Sequence, residues 1–306
     1  MDRLVAHITG GGTRERPAAR TLLVVNYPAG SRGSQPQRVA AVIAAHNVGR
    51  AVAATVRACR AIPSVDLLIV VDDGSTDDTG RAARAAGAVV VRHSVERGRA
   101  SAIETGVKVA AMRDRPDGPP RHILLLSPDL GESAVEATAL VEAVSARQAD
   151  MAIAVPATGR EYSGYGPGVA RRLIRRKTGW NCHYPLSYQR CLTREAIDAA
   201  MPFSGRYVLE AAMTISVLRA GLSVMEVPCN FAHSGADRSL GSLNRPARMF
   251  DAVRATVSQV FHSDARSKRR ADHEQGIGVP YPAPASSREE AEGVDSSDGR
   301  REEMVG

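Results

Sequence analysis

The chain has 306 residues, of which 43% are hydrophobic and 24% charged, values that exclude a fibrous or wholly disordered protein. Forty Lys and Arg against 33 Asp and Glu give a formal charge of +7, which admits anionic partners. Aromatic residues make up only 4% and no basic run is interleaved with them, so nucleic acid is disfavoured as a partner. The longest apolar runs, Leu67–Val71 and Ile123–Leu126, are far too short to cross a bilayer. The N-terminus lacks the apolar core of an export signal, so a cytoplasmic location is expected. Cys59, Cys182, Cys191 and Cys229 show no Cys-x-x-Cys spacing and are expected to be reduced, buried thiols.

In chain order, residues 1–37 are rich in Gly, Arg and Pro and read as a disordered N-terminal arm. Residues 38–261 read as the folded domain. Val39–Ala45 is an apolar strand, and Val52, Val56 and Cys59 then recur at helical spacing. Strands at Leu67–Val71, Ala88–Val91 and Ile123–Leu126 alternate with helices over 77–86 and through Ile103, Val107 and Ala110. A helix over 135–146 and a strand at Met151–Val155 continue the pattern, and Tyr162–Gly166 is loop-like. Helices over 169–177 and 209–219 and a strand over 223–227 complete it. Repeated strand-helix-strand units predict an α/β domain with a mostly parallel central sheet and helices on both faces. From 262 to 306 the chain is polar, with Pro280, Pro282 and Pro284 and an acidic mixture, and reads as a disordered tail.

In an open parallel sheet, ligands bind beyond the carboxyl ends of the strands. Two acidic clusters stand at such places: Asp72-Asp73-Gly74-Ser75 after one strand and Ser127-Pro128-Asp129 after another. Carboxylates there can receive donors of a nucleotide and hold a divalent cation against a diphosphate. Ser75–Asp78 are equally explained as helix-start residues, which leaves Asp72 and Asp73 without that explanation.

Ala44-Ala45-His46-Asn47, Val70–Thr79, Arg97–Ala102 leading into Thr105-Gly106, and Leu124–Leu130 resemble, in order, the successive motifs of family 2 glycosyltransferases of the GT-A fold. The resemblance spans roughly residues 38–260 and implies a single GT-A domain that moves a hexose from a UDP- or GDP-linked donor. By it, Ala44, Asn47, Asp72, Asp73, Arg99 and Asp129 belong to the nucleotide-sugar site, Arg99 near the phosphates, and a divalent metal, Mg or Mn, is the cofactor. Two departures stand out. Val48 replaces the acidic residue that usually follows the first-motif Asn, and the Asp-x-Asp metal motif reads Ser127-Pro128-Asp129.

His233, in Asn230-Phe231-Ala232-His233, resembles the downstream metal-binding His of some GT-A enzymes, including the glucosyl-3-phosphoglycerate synthases, and pairs with Asp129 as a metal candidate. Glu210 resembles the acidic residue that serves as catalytic base; helix-dipole complementation explains it as well. Gln189 and Arg190 fall in a segment that resembles the acceptor side. Arg171, Arg172, Arg175, Arg176 and Lys177 form a basic helix face that suits a phosphorylated acceptor or solvent alike. Trp180 is expected in core or loop packing. Met249, Phe250, Val253, Val257, Val260 and Phe261 have the spacing of a helix that packs on its own core or lies on a membrane surface.

The acceptor is expected to be a small molecule or a lipid phosphate; peripheral membrane contact and a homodimer stand among the expected associations. Ser127 favours an alternative, a catalytically degenerate GT-A domain that binds nucleotide sugar or regulates. A nucleotidyltransferase is disfavoured because no Gly-rich, Lys-bearing loop follows the first strand.

Overall fold

The apolar runs become the strands of one sheet, because each presents hydrophobic side chains to both faces and both faces are covered. The structure is a computed structural model and describes residues 37–157, 165–203, 209–232 and 276–282. The chain divides into units at residues 1–34 and 35–306, and the first lies wholly outside the described residues.

The strands are β1 (Val39–Ala45), β2 (Val65–Asp72), β3 (Val89–Arg92), β4 (His122–Leu126), β5 (Met151–Pro156), β6 (Arg190–Leu192) and β7 (Val224–Cys229). Their spatial order is β3-β2-β1-β4-β6-β5-β7. Pairing is parallel throughout except at β6, which runs antiparallel to both β4 and β5. The helices are α1 (Ala51–Cys59), α2 (Thr79–Ala85), α3 (Arg99–Ala111), α4 (Thr138–Ser145), α5 (Tyr165–Thr178), α6 (Arg194–Ala200) and α7 (Leu209–Arg219).

Side chains alternate between faces along a strand. Ala40 and Val42 of β1, Ile69 and Val71 of β2 and Ile153 of β5 therefore share one core with Ile103 and Val107 of α3, Ile174 of α5 and Met213 of α7. Val39, Ala41 and Ile43 face the other way, where Val52 and Val56 of α1, Ala83 of α2 and Leu140 and Val144 of α4 cover them. Each large aliphatic side chain buried in these layers contributes about 1.5–3 kcal/mol.

Five local features differ from the sequence expectations. β6 and α6 were not expected. The stretch expected as a helix over 135–146 is a 3-10 turn at Gly131–Ala137 followed by α4. Helix α5 starts at Tyr165, inside the expected loop; the rest of that loop, His233 and the stripe from Met249 to Phe261 lie outside the described residues. Finally, residues 276–282, expected in a disordered tail, lie against β7. The N–H of Val224 donates to Tyr281 O at 2.7 Å, that of Tyr281 to Val224 O at 2.8 Å, and that of Gly278 to Glu226 O at 2.7 Å. The Tyr281 ring stacks on the buried Trp180, with centroids 6.4 Å apart.

Candidate active site

The register pairs Ala45 at the end of β1 with Asp72 at the end of β2, so the two following turns leave the sheet side by side. They are stitched together. The Asn47 N–H donates to Ser75 Oγ at 3.0 Å, and Asn47 Oδ1 accepts the Thr76 N–H at 2.8 Å. Thr79 Oγ1 accepts the N–H groups of Val48 and Gly49, each at 2.9 Å. Asp77 Oδ2 accepts the Gly49 N–H at 2.8 Å, and Oδ1 the Thr79 N–H at 2.9 Å. Slight burial raises the Asp77 carboxyl, but the bonds from Thr79 and Gly49 outweigh it and hold the group below the usual carboxylate range. The Ser75–Asp78 segment thus binds one turn to the other besides starting α2, and the N-cap residue Asp78 makes no side-chain cap bond.

Asp72 and Asp73 are 2% and 3% exposed. Asp72 Oδ1 accepts the Ser75 N–H at 2.9 Å, closing the turn that Gly74 makes at φ 71°. Asp73 holds a more distant loop. Its Oδ1 meets His93 Nδ1 at 2.6 Å and accepts the Arg97 N–H at 2.9 Å, while Oδ2 accepts the Gly98 N–H at 2.7 Å. Burial pushes the Asp73 carboxyl up, and the bonds from Arg97, His93 and Gly98 more than reverse this, leaving it below its ordinary value. Gly98 immediately precedes Arg99, the first residue of α3, so Asp73 fixes where Arg99 leaves the backbone.

Beyond the carboxyl ends of β1, β4 and β5 lies a cavity of about 410 Å³, whose walls include Ala44, Arg99, Ser127, Ser187, Tyr188 and Gln189. Arg99 makes two contacts there. It is ion-paired to Glu210, and its guanidinium lies over the Tyr188 ring, 4.8 Å from the centroid. Burial pushes the Tyr188 hydroxyl up to about 12, so the phenol stays neutral. Gln189 is a wall residue, and its buried amide nitrogen has no hydrogen-bond partner among the described residues.

Glu210 is 5% exposed and is not itself a wall of the cavity. Arg190 requires a correction. It is 0% exposed, does not reach the cavity, and donates to Ser187 O and Thr214 Oγ1, each at 2.8 Å. It shapes the loop before β6 from behind. Asn47, Asp72 and Asp73 likewise stand outside the cavity walls, in the adjoining turns.

Asp129 follows β4 and accepts a hydrogen bond from Ser127 Oγ at 2.6 Å. Among the described residues, no three His, Cys, Asp or Glu side chains gather as a metal site. One carboxylate beside a hydroxyl is nonetheless an all-oxygen donor set, and Mg²⁺ characteristically takes one or two carboxylates with substrate phosphates and water. Asp129 therefore fits a cation shared with a bound diphosphate.

Sequence reasoning missed Glu226, which is 3% exposed on β7. Its Oε1 accepts the N–H groups of His183 and Tyr184, each at 2.8 Å, and Oε2 meets His183 Nδ1 at 2.7 Å. From the other side, Arg171 of α5 donates to Cys182 O at 3.0 Å and His183 O at 2.9 Å. One side chain thus grips the N–H groups of the 182–184 segment and the other its carbonyls, and this segment leads into the Tyr184–Gln189 wall. Arg171 is engaged in the protein and is not part of a free basic face. The four cysteines are buried and unpaired, as expected, and burial raises all their thiols above the ordinary value.

The family described as Glycosyl transferase family 2 matches residues 40–196. Among solved structures, the chain is similar to glucosyl-3-phosphoglycerate synthase from Mycobacterium tuberculosis in complex with Mn²⁺, uridine diphosphate and phosphoglyceric acid. The identity is 22% over 73% of this chain and 78% of that one, with a TM-score of 0.58. For the complex of the same enzyme with phosphoglyceric acid, the values are 23%, 72%, 79% and 0.55. A structure described only as a mycobacterial protein gives 23%, 72%, 74% and 0.56. No curated protein matches this chain. At these identities the structural likeness establishes the GT-A fold.

Proposed function

The chain belongs to glycosyl transferase family 2 and is a glycosyltransferase of the GT-A fold, and we propose that it moves a hexose from a UDP- or GDP-linked donor to a hydroxyl of a small phosphorylated acceptor. The observation that carries this reading is the convergence of Ala44, Arg99 and Ser127, from three donor-side motifs, with Gln189, from the acceptor side, on one cavity at the strand ends. The similar synthase crystallised with Mn²⁺, uridine diphosphate and phosphoglyceric acid supports the same classes of donor and acceptor.

In this reading, the turns after β1 and β2 seat the nucleoside. Asn47, Asp72 and Asp73 act mainly by fixing the shape of those turns, and Arg99 meets the diphosphate. A Mg²⁺ or Mn²⁺ ion held by Asp129, with His233 as a second candidate ligand, would neutralise charge on the departing diphosphate. Gln189 donates to the acceptor. Glu210 takes the proton of the acceptor hydroxyl, whose oxygen bonds to the anomeric carbon as the bond from that carbon to the donor phosphate breaks. Nucleoside diphosphate leaves.

The test incubates the purified full chain with UDP- and GDP-sugars, with and without Mg²⁺ or Mn²⁺. Phosphoglyceric acid, other phosphorylated small molecules and polyprenyl-phosphate vesicles serve in turn as acceptors. Expected are metal-dependent nucleotide binding, abolished by chelator, and nucleoside diphosphate release that requires one soluble acceptor. Release only with vesicles would assign a lipid phosphate instead. Binding without release would identify a non-catalytic module, and no binding at all would overturn the reading.

A further inference from the structure

Resting on that reading, we propose that Arg99 is a donor-responsive positioning residue for Glu210: it pairs with the carboxylate while the donor site is empty and passes to the donor diphosphate when the nucleotide sugar binds. The acceptor base is then released only on a loaded enzyme.

Three observations carry this. Arg99 is a wall of the cavity and Glu210 is not, so the guanidinium is the part of the pair that a ligand can reach. The exposures agree, at 42% for the Arg99 side chain and 6% for Glu210. Second, the stem of Arg99 is fixed while its head has a platform to move on. Asp73 anchors the backbone at Gly98, and the Tyr188 ring lies under the guanidinium at the cavity wall. A planar guanidinium over an aromatic face can exchange a carboxylate for a phosphate without leaving that face, since both offer paired oxygens to its fork.

Third, opening the pair does not strand Glu210. Removing one partner of a buried ion pair is ordinarily costly because the other charge is left uncompensated. Here the buried Arg190 guanidinium acts electrostatically on Glu210 and is placed one turn along α7 from it, donating at 2.8 Å to the hydroxyl of Thr214, which itself donates to the Glu210 backbone carbonyl at 2.9 Å. Arg190 is held by loop carbonyls and stays in place when Arg99 moves. The carboxylate released by Arg99 thus retains a cationic neighbour and gains an open side towards the cavity.

If Glu210 and a diphosphate compete for one guanidinium, removing the charge of Glu210 must tighten diphosphate binding, and it must do so through Arg99. The experiment measures binding of UDP, with uridine as the phosphate-free control, to the full chain in Mg²⁺ by titration calorimetry. Glu210→Gln is expected to bind UDP about tenfold tighter than wild type, the size of coupling usual between contacting charged groups. Arg99→Met, which keeps the apolar stem, is expected to bind UDP more weakly. The double variant is expected to bind no tighter than Arg99→Met alone, and uridine to be indifferent to the Glu210 change.

Equal or weaker UDP binding by Glu210→Gln would overturn the proposal. So would the same gain in the Arg99→Met background, which would mean simple repulsion between Glu210 and the phosphates. Should the amide variant not fold, Glu210→Ala carries the same comparison. A wild type that binds no UDP or any other nucleoside diphosphate sinks the transferase reading itself, and the inference with it.

Discussion

Asp73 directs its carboxylate at the protein: three donors, from His93 and the Arg97 and Gly98 backbones, converge on two buried oxygens. That arrangement stabilises the ionised form, so its folded-state pKa lies below the unfolded value of about 3.9. A depressed carboxylate contributes stability that is present above the unfolded pKa and is lost as pH falls through the folded one. Asp73→Asn is therefore expected to cost about 1–3 kcal/mol at neutral pH, because backbone N–H groups lose a charged acceptor. The deficit against wild type should shrink below about pH 4 as wild-type Asp73 is protonated. Urea melts of both proteins at neutral pH and near pH 3 check this, and an undiminished deficit in acid would contradict it. The same geometry shows what a motif leaves unsaid. The sequence marks Asp72 and Asp73 as special because two adjacent carboxylates follow an apolar strand. The partners of Asp73 are the His93 side chain and backbone N–H groups up to 25 residues away, which no local pattern encodes.

Helix α3 carries Arg99 to the cavity, and its height above the sheet is set near its middle. A Cβ built on Gly106 would lie 2.3 Å from Val42 Cγ1 and 3.3 Å from Val71 Cγ2, so only glycine lets the helix approach β1 and β2 this closely. Gly106→Ala sets two effects against each other. Alanine favours a helix interior by about 1 kcal/mol, while forcing a methyl into a filled core costs about 1–3 kcal/mol. Because the contact at Val42 is far inside any real approach of two carbons, overpacking should win, with a net loss of about 1–2 kcal/mol. Thermal unfolding of the variant measures this, and a melting midpoint at or above that of wild type would show that the helix can rise freely. At this scale the sequence was legible where the period was strong. The runs in β1, β4, β5 and the second half of β2 could be read directly because both faces of those stretches are buried. Strand β6 was not legible, since it has three residues and opens with an arginine whose burial depends on Thr214 and the carbonyls of the loop before it. Helix α6 had a usable signal: Thr193, whose hydroxyl caps the Ala196 N–H, precedes a run of helix formers. Glu226 had one too, as a lone charge inside Val-Met-Glu-Val, because a strand buries such a residue only with partners.

In the molecule as a whole, the two ends of the sheet do different work. At the amino ends of the parallel strands an ion-pair network braces the fold. Arg121 grips Asp66 through Nε at 2.7 Å and Nη2 at 2.8 Å, and Asp114 ties it to Arg194 of α6 at 2.6 Å. The segment 276–282 belongs to this end as well, since it bridges β7 at its first residue, Val224, whereas Cys229 at the far end of β7 borders the cavity. The segment also covers the open edge of the sheet, where an unpaired strand would otherwise offer its N–H and C=O groups to another chain. A chain ending at residue 275 should therefore lose stability and gain self-association, yet keep the cavity. Tyr281 alone, 8% exposed, stacked on Trp180 and bonded through its hydroxyl to Thr178 O at 3.0 Å, should account for about 3 kcal/mol of the loss. Trp180 is the only tryptophan, so its fluorescence reports this one place, and it should shift to the red in both Tyr281→Ala and the truncated chain. Light scattering should reveal larger species only in the truncated chain, where the backbone groups of Val224 and Glu226 lose their partners in the segment. Nucleotide binding by either variant, once folded, should match wild type. If instead it fell in step with the fluorescence shift, the segment would be acting on the carboxyl ends of the strands, and the separation of the stabilising end of the sheet from its binding end would not hold.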